Sequence, residues 1–392
     1  MRIDHTMDPS GDLVLTLKKP NAPFSIWFSP TNDGLPTTMQ LSTAKPVFGS
    51  PTPLGPTAAI PPGGGNKEAK TEDTKSVTFL VSSRHLMLAS PILKTALTGP
   101  WAESVTGSDE RLRRIGAKDW SAEATTIFLA VVHHRWARVP REVDLELLCK
   151  IAVIVDYFRA HEVFQLIAPV WIEKIDRAFP TKDGLRAQIL WLCVSWVFEN
   201  AAIFERATRV ILETSFADMG ALQLPIPSRI IDAINNRRRL VLEGVGNGLN
   251  YLAEKYSLGT RGCNLACSSI QLGIILKKMR ELRLPFHPGC HLSASFKANP
   301  FNTLDLDTLL SRVAELSTPI LYEKRPSSGA QGQSDESRGQ CEEIVRHACA
   351  KREDRLDCFV EDLVKRVRRD HLKGLQLSEF VDRREDMSPR CD

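Results

Sequence analysis

The sequence predicts an α+β protein: a small N-terminal sheet packed with helices, followed by a mainly α-helical region. Three observations carry this reading. Leu13, Leu15 and Leu17 alternate with Val14, Thr16 and Lys18, the period of a half-buried strand. The stretch from Leu145 to Ala160 is apolar almost all round, broken only by Glu146, Lys150, Asp156 and Arg159, as in a helix inside a domain. From Asp183 onward apolar residues recur at helical spacing, with no repeat of solenoid period.

Composition narrows the class. The 392 residues suffice for two domains, and 43% hydrophobic with 25% charged residues allow a real core under a polar surface. A net charge of +4 spread over this length leaves no electrostatic footprint, so no nucleic-acid partner is expected. No run of eighteen apolar residues exists, so no membrane span is expected, and Met1–Ser10 lacks the apolar stretch of a signal peptide. Nine scattered cysteines then fit an intracellular protein, cytoplasmic or nuclear, with reduced thiols.

After the first strand, Asn21-Ala22-Pro23 turns the chain and Phe24–Phe28 reads as a second extended stretch. Residues 30–75 hold eight prolines and six glycines and are read as a disordered insertion. The single PxxP spacing, Pro53 to Pro56, is the alternative docking signal there. Val77, Phe79 and Val81 form a strand. Ser82-Ser83 then cap a helical turn through Leu86 and Leu88, and Ser90-Pro91 starts a second helix that ends at Gly99. Residues 111–118 are read as a strand, and Ser121 caps a helix with Ile127, Phe128, Val131 and Val132 on its buried face. Val163, Leu166, Ile167, Val170, Trp171 and Ile175 continue at helical spacing. Ser228 to about Tyr256 reads as one long helix, weakened by Gly244, Gly246 and Gly248 by roughly 1 kcal/mol each relative to alanine. Further helices are expected at 272–284, 304–316 and 355–371.

Three stretches carry a family resemblance. They are Val81-Ser-Ser-Arg-His-Leu-Met-Leu-Ala-Ser-Pro-Ile-Leu93, Asp119-Trp-Ser-Ala-Glu-Ala124 and Leu147-Leu-Cys-Lys-Ile-Ala-Val-Ile-Val-Asp-Tyr-Phe158. Together they resemble the BTB/POZ domain. Gly11-Asp12 and Asn21-Ala-Pro-Phe24, with the helical C-terminal half, are similar to the BTB-domain proteins of filamentous fungi. The resemblance implies protein–protein binding or self-association, and in some members the role of substrate adaptor for a cullin-type ubiquitin ligase. Two features depart from the family: few residues precede Asp12, where dimeric members carry an extra helix, and Ser82-Ser83 stand where many members have a basic pair.

On this reading residues 1–29 hold the first strands of the BTB-like domain and 76–180 its remainder, around the 30–75 insertion. Residues 181–324 form the helical region, 325–340 a polar linker and 341–392 a terminal helical segment.

The resemblance implies an interaction scaffold and no enzyme. No GxSxG, HExxH or P-loop match appears. Cys263, Cys267, His347 and Cys349 are of the types that ligate structural zinc, and Cys-x3-Cys has the spacing of a ligand pair. The alternatives are ordinary packed thiols or, from another class, a metal or thiol enzyme. Trp101, after Gly99-Pro100, is a candidate partner contact. His133-His134 reads as a solvated helix end, and Cys149 and Cys193 as core.

Overall fold

The computed structural model describes residues 3–25, 76–99, 112–178, 184–216, 218–284, 286, 304–317, 321–324, 344–347 and 355–381. The expected insertion at 30–75, the linker at 325–340 and Trp101 lie outside the described residues. The architecture is α+β: a four-stranded sheet near the N-terminus, then mostly helices. The chain divides into two compact units, Met1–Phe204 with Ala221–Ile226, and Glu205–Gly220 with Pro227–Asp392.

The first unit contains strands β1 (His5–Thr6), β2 (Leu13–Lys18), β3 (Ser76–Val81) and β4 (Arg113–Lys118). Its helices are α1 (Ser83–Ala89), α2 (Pro91–Thr98), α3 (Ala122–Val132), α4 (Leu145–Phe158), α5 (His161–Phe164), α6 (Ala168–Ala178) and α7 (Leu185–Val197), and α8 (Ala201–Thr214) begins there. The strand order is β1-β3-β2-β4. β2 runs antiparallel to β3, with Leu15 opposite Phe79, and parallel to β4, with Leu15 opposite Ile115. As an inner strand it is covered on both sides at its start: Val14 is as buried as Leu13 and Leu15, so the half-exposed pattern expected from alternation holds only toward Lys18. Residues 21–25 form a turn and irregular backbone instead of the start of a second extended stretch; residues 26–28 lie outside the described residues.

Capping residues fix the helix starts. Ser90 Oγ accepts the Leu93 N–H at 3.0 Å and donates to the Phe158 carbonyl at 2.6 Å, tying the start of α2 to the end of α4. Ser121 caps α3 and Asp144 caps α4 in the same way. At α1 the expected cap fails, because the Ser82 side chain makes no capping bond. Asp12 replaces it from the start of β2: its carboxylate accepts the Ser83 N–H at 2.8 Å and the Ser83 hydroxyl at 2.6 Å. Burial pushes the Asp12 carboxyl up, but the Ser83 bonds and Arg113 hold it below its usual value. Asn21 acts likewise at α3, accepting the Ala122 N–H at 3.0 Å while its own N–H donates to the Trp120 carbonyl. The Gly-Asp and Asn-Ala-Pro-Phe motifs therefore join the two ends of β2 to the later helices α1 and α3.

Phe128, Phe158 and Phe164 stack in the core between α3, α4 and α5. α7 packs along α4 and is buried almost all round, with Trp191, Cys193 and Trp196 inside. The spacing through Val163–Ile175 is broken by a turn after α5. Phe164, Ala168, Trp171 and Ile172 are buried, whereas Leu166 is 85% exposed and Val170 44%.

The second unit holds the rest of α8 with α9 (Ser228–Ser257), α10 (Leu265–Glu281), α11 (Leu306–Ala314), a hairpin of β5 (Leu321–Lys324) and β6 (Ile344–His347), α12 (Leu356–His371) and α13 (Ser378–Val381). Gly248 of α9 is a packing device. A Cβ on Gly248 would lie 2.6 Å from the Leu363 methyl carbons, so its absence lets α12 approach closely there, whereas one on Gly244 would meet Val367 at an ordinary 3.4 Å. Arg238, 4% exposed on α9, donates to the carbonyls of Ser215 and Leu304, which joins the end of α8 to the residue before the Asp305 cap of α11.

Candidate functional site

A half-open cleft of about 510 Å³ lies within the first unit. Its walls come from the turn at Asn21–Ser25, the end of β4 with Asp119–Ser121, one side of α4, and residues 222–224. No single segment builds it, which is why periodicity does not reveal it.

Backbone geometry concentrates here. Of the ten non-glycine residues with left-handed φ among the described residues, five line the cleft: Asn21 (62°), Ser25 (46°), Asp119 (67°), Leu222 (50°) and Gln223 (62°). Such conformations cost on the order of 1–3 kcal/mol each and persist where surrounding contacts hold them. The contacts are visible. Arg186 of α7 donates to the carbonyls of Ser25 at 3.1 Å and Phe24 at 3.3 Å, and pairs with Glu146 at 2.9 Å. Glu146 also pairs with Lys150 at 2.8 Å, and the Lys150 ammonium lies 5.4 Å from the centre of the Phe24 ring. The Lys150 hydrogen bond, with that of Arg186, holds the Glu146 carboxyl below its usual value against the opposing effect of burial. Glu146 is thus an ionised anchor with both oxygens engaged.

Two polar atoms of the lining are unmatched. Trp120 Nε1 and Ser25 Oγ are buried without a hydrogen-bond partner. The Trp120 ring stands edge-on to Tyr157 and Phe158, which fixes its plane. Buried donors are nearly always paired in folded proteins, so two such atoms on residues that line one cleft set it apart.

The residues singled out as ligands by type fall elsewhere. Cys263 is exposed just before α10. Cys267, in the first turn of α10, is 1% exposed, and its Sγ accepts from Gln271 Nε2 at 3.0 Å; Gln271 Oε1 in turn accepts the Tyr256 hydroxyl at 2.7 Å. Cys267 is therefore part of a buried polar chain, with its sulfur turned to Gln271. His347 lies on β6 opposite Leu321, with only its backbone described, and Cys349 lies outside the described residues. Among the described residues no group of three His, Cys, Asp or Glu side chains gathers into a metal site. Cys149 and Cys193 are both fully buried core thiols, as their apolar surroundings in the sequence predict. Their shared hydrogen bond, with burial, pushes the Cys193 thiol well above its usual value.

His133 corrects the solvated reading. It is 7% exposed; its Nε2 accepts the Ser82 N–H at 3.0 Å, and its Nδ1 lies 2.8 Å from the Leu129 carbonyl. Accepting at one nitrogen and donating at the other requires the neutral ring. Burial pushes its pKa down, helped by His85 and Arg135 and opposed by the Leu129 bond and Asp8.

No helix among the described residues is long and apolar enough to cross a membrane. Comparison with known proteins finds no matching family model, no matching curated protein and no matching solved structure.

Proposed function

We propose that the chain is a protein-interaction scaffold that works through its N-terminal unit, a BTB/POZ-like domain, and that it is not an enzyme. The resembling motifs fall at the end of β3 with the paired helices α1 and α2, at the start of α3, along the inner helix α4, and on either side of β2, which supports the reading. The observation that carries the reading is the exposure of Leu88 on α1 and of Leu166 in the turn after α5, each 85%, beside the completely buried Leu86 and Phe164. Ile92 and Val170, four residues further on in each case, are 38% and 44% exposed. These side chains lie outside the core, and burying one leucine contributes about 1.5–3 kcal/mol. A polypeptide that covers all four would draw a contribution of that kind from each.

The test is quantitative affinity purification from the native host, comparing the wild-type chain with a Leu88→Asp/Leu166→Asp variant of unchanged circular dichroism. The reading expects a defined partner, or additional copies of the chain itself, recovered with the wild type and depleted with the variant. Recovery of the same proteins in the same amounts with both, or of none with either, contradicts it.

A further inference from the structure

We propose that the cleft beside Trp120 is a binding site for a carboxylate carried on an apolar body. The polar groups that line it are biased toward donors. An indole N–H can only donate, and that of Trp120 is buried and unpaired. The Ser25 hydroxyl is also buried and unpaired, and Ser25 lines the same cleft. Both residues are more than nine-tenths buried, Trp120 at 8% and Ser25 at 7% exposure. Lys150 adds an ammonium with three N–H bonds, of which Glu146 takes one at 2.8 Å. The acceptors of the lining are largely spent. Both Glu146 oxygens are held by Lys150 and Arg186, the Trp120 and Ser25 carbonyls accept from Asn21 and Arg186, and the charge of Asp119 is balanced by Lys118 at 3.6 Å.

Charge points the same way. Glu146 stands against two cations, Lys150 and Arg186, so this corner carries a surplus of one positive charge that a ligand carboxylate would balance. Pro23, Phe24, Val153 and Leu224 give the rest of the lining an apolar character suited to a hydrocarbon body. Leu88 and Leu166 do not line the cleft, so its chemistry stands or falls apart from the interaction surface proposed above.

The experiment uses the full-length chain with ¹⁵N-labelled tryptophan, and the indole resonance of Trp120 is assigned by its loss in Trp120→Phe. Hexanoate, hexanamide and hexylamine are titrated, together with an N-acetylated leucine peptide carrying a free C-terminal carboxylate and the same peptide as its amide. Hexanoate and the free-acid peptide are expected to move the Trp120 indole resonance, and the amides and the amine to leave it in place. Ser25→Ala is expected to weaken the acids about tenfold, the loss of one hydrogen bond to a charged acceptor. Lys150→Met, which leaves Glu146 its Arg186 partner, should weaken them in the same sense. Tighter binding of the peptide identifies a polypeptide terminus as the source of the carboxylate; tighter binding of hexanoate identifies a free small acid. The proposal is overturned if no acid moves the resonance at millimolar concentration, if amides or amine move it equally, or if both variants, with melting unchanged, bind the acids as the wild type does.

Discussion

The backbone N–H of Ser82 donates to Nε2 of His133 at 3.0 Å, although the two residues lie 51 positions apart. This bond joins the end of β3 to the end of α3, and it exists only while the imidazole is neutral. The native value of His133 is depressed, so its contribution to stability is complete above the unfolded value of about 6.5. As pH falls below that point the unfolded chain takes up the proton first, and stability is lost until the lowered native value is passed. Thermal melts between about pH 8 and pH 5 should show this slope. His133→Asn should reduce stability at the upper end by about 1–3 kcal/mol and flatten the slope. An unchanged slope in the variant would assign the effect to another group.

Two glycines of α9 should respond oppositely to alanine. Gly244 has only an ordinary contact with Val367, so Gly244→Ala should gain up to about 1 kcal/mol from helix propensity. Gly248→Ala must displace the Leu363 side chain and should gain nothing or lose stability. Gly374→Ala is more severe, because its Cβ would meet the Glu205 backbone carbonyl, which cannot rotate away. Denaturant titration of the three variants ranks them.

Arg238 should be irreplaceable. Its removal leaves the Ser215 and Leu304 carbonyls without their donor inside the second unit. Arg238→Ala should cost about 2–4 kcal/mol, and Arg238→Lys should recover only a fraction, since one ammonium does not reproduce the planar fork. Chemical denaturation of the three proteins checks the order.

Thiol chemistry should sort by burial. Of the described cysteines Cys263 is exposed and Cys358 half-buried, whereas Cys149, Cys193 and Cys267 are buried. A disulfide reagent on the native protein should modify Cys263 before the other described cysteines and reach Cys149 and Cys193 only on unfolding, because both are buried and the raised Cys193 value keeps that thiolate scarce. Peptide mapping after timed quenching reads the order directly.

The elements legible in the sequence were those specified locally. Ser90-Pro91 and Ser121 announce helix starts because each cap bonds within three residues of itself. The thirty-residue helix α9 declares itself by sustained spacing. What escaped was nonlocal. Asp12 caps a helix 71 residues away, and His133 is buried by a strand end that no local pattern reveals. The two-residue β1 is too short to show alternation. Leu166 and Val170 keep helical spacing yet face outward, because the turn after α5 resets the phase. The cleft was invisible for the same reason as the Asp12 cap: Ser25, Trp120, Lys150 and Leu224 meet only through the fold. Its single hint was Trp120 beside the Asn21-Ala-Pro-Phe turn, two motifs that share a hydrogen bond across 99 positions, Asn21 N–H to the Trp120 carbonyl at 2.8 Å.

On the proposed function, the first unit turns Leu88, Ile92, Leu166 and Val170 toward another polypeptide. Hydrogen–deuterium exchange on the purified assembly, compared with the isolated chain, tests it most directly. Slowed exchange in the segments 86–92 and 164–170 on assembly is the predicted result. Protection confined to other segments, with those two exchanging as in the isolated chain, would contradict it.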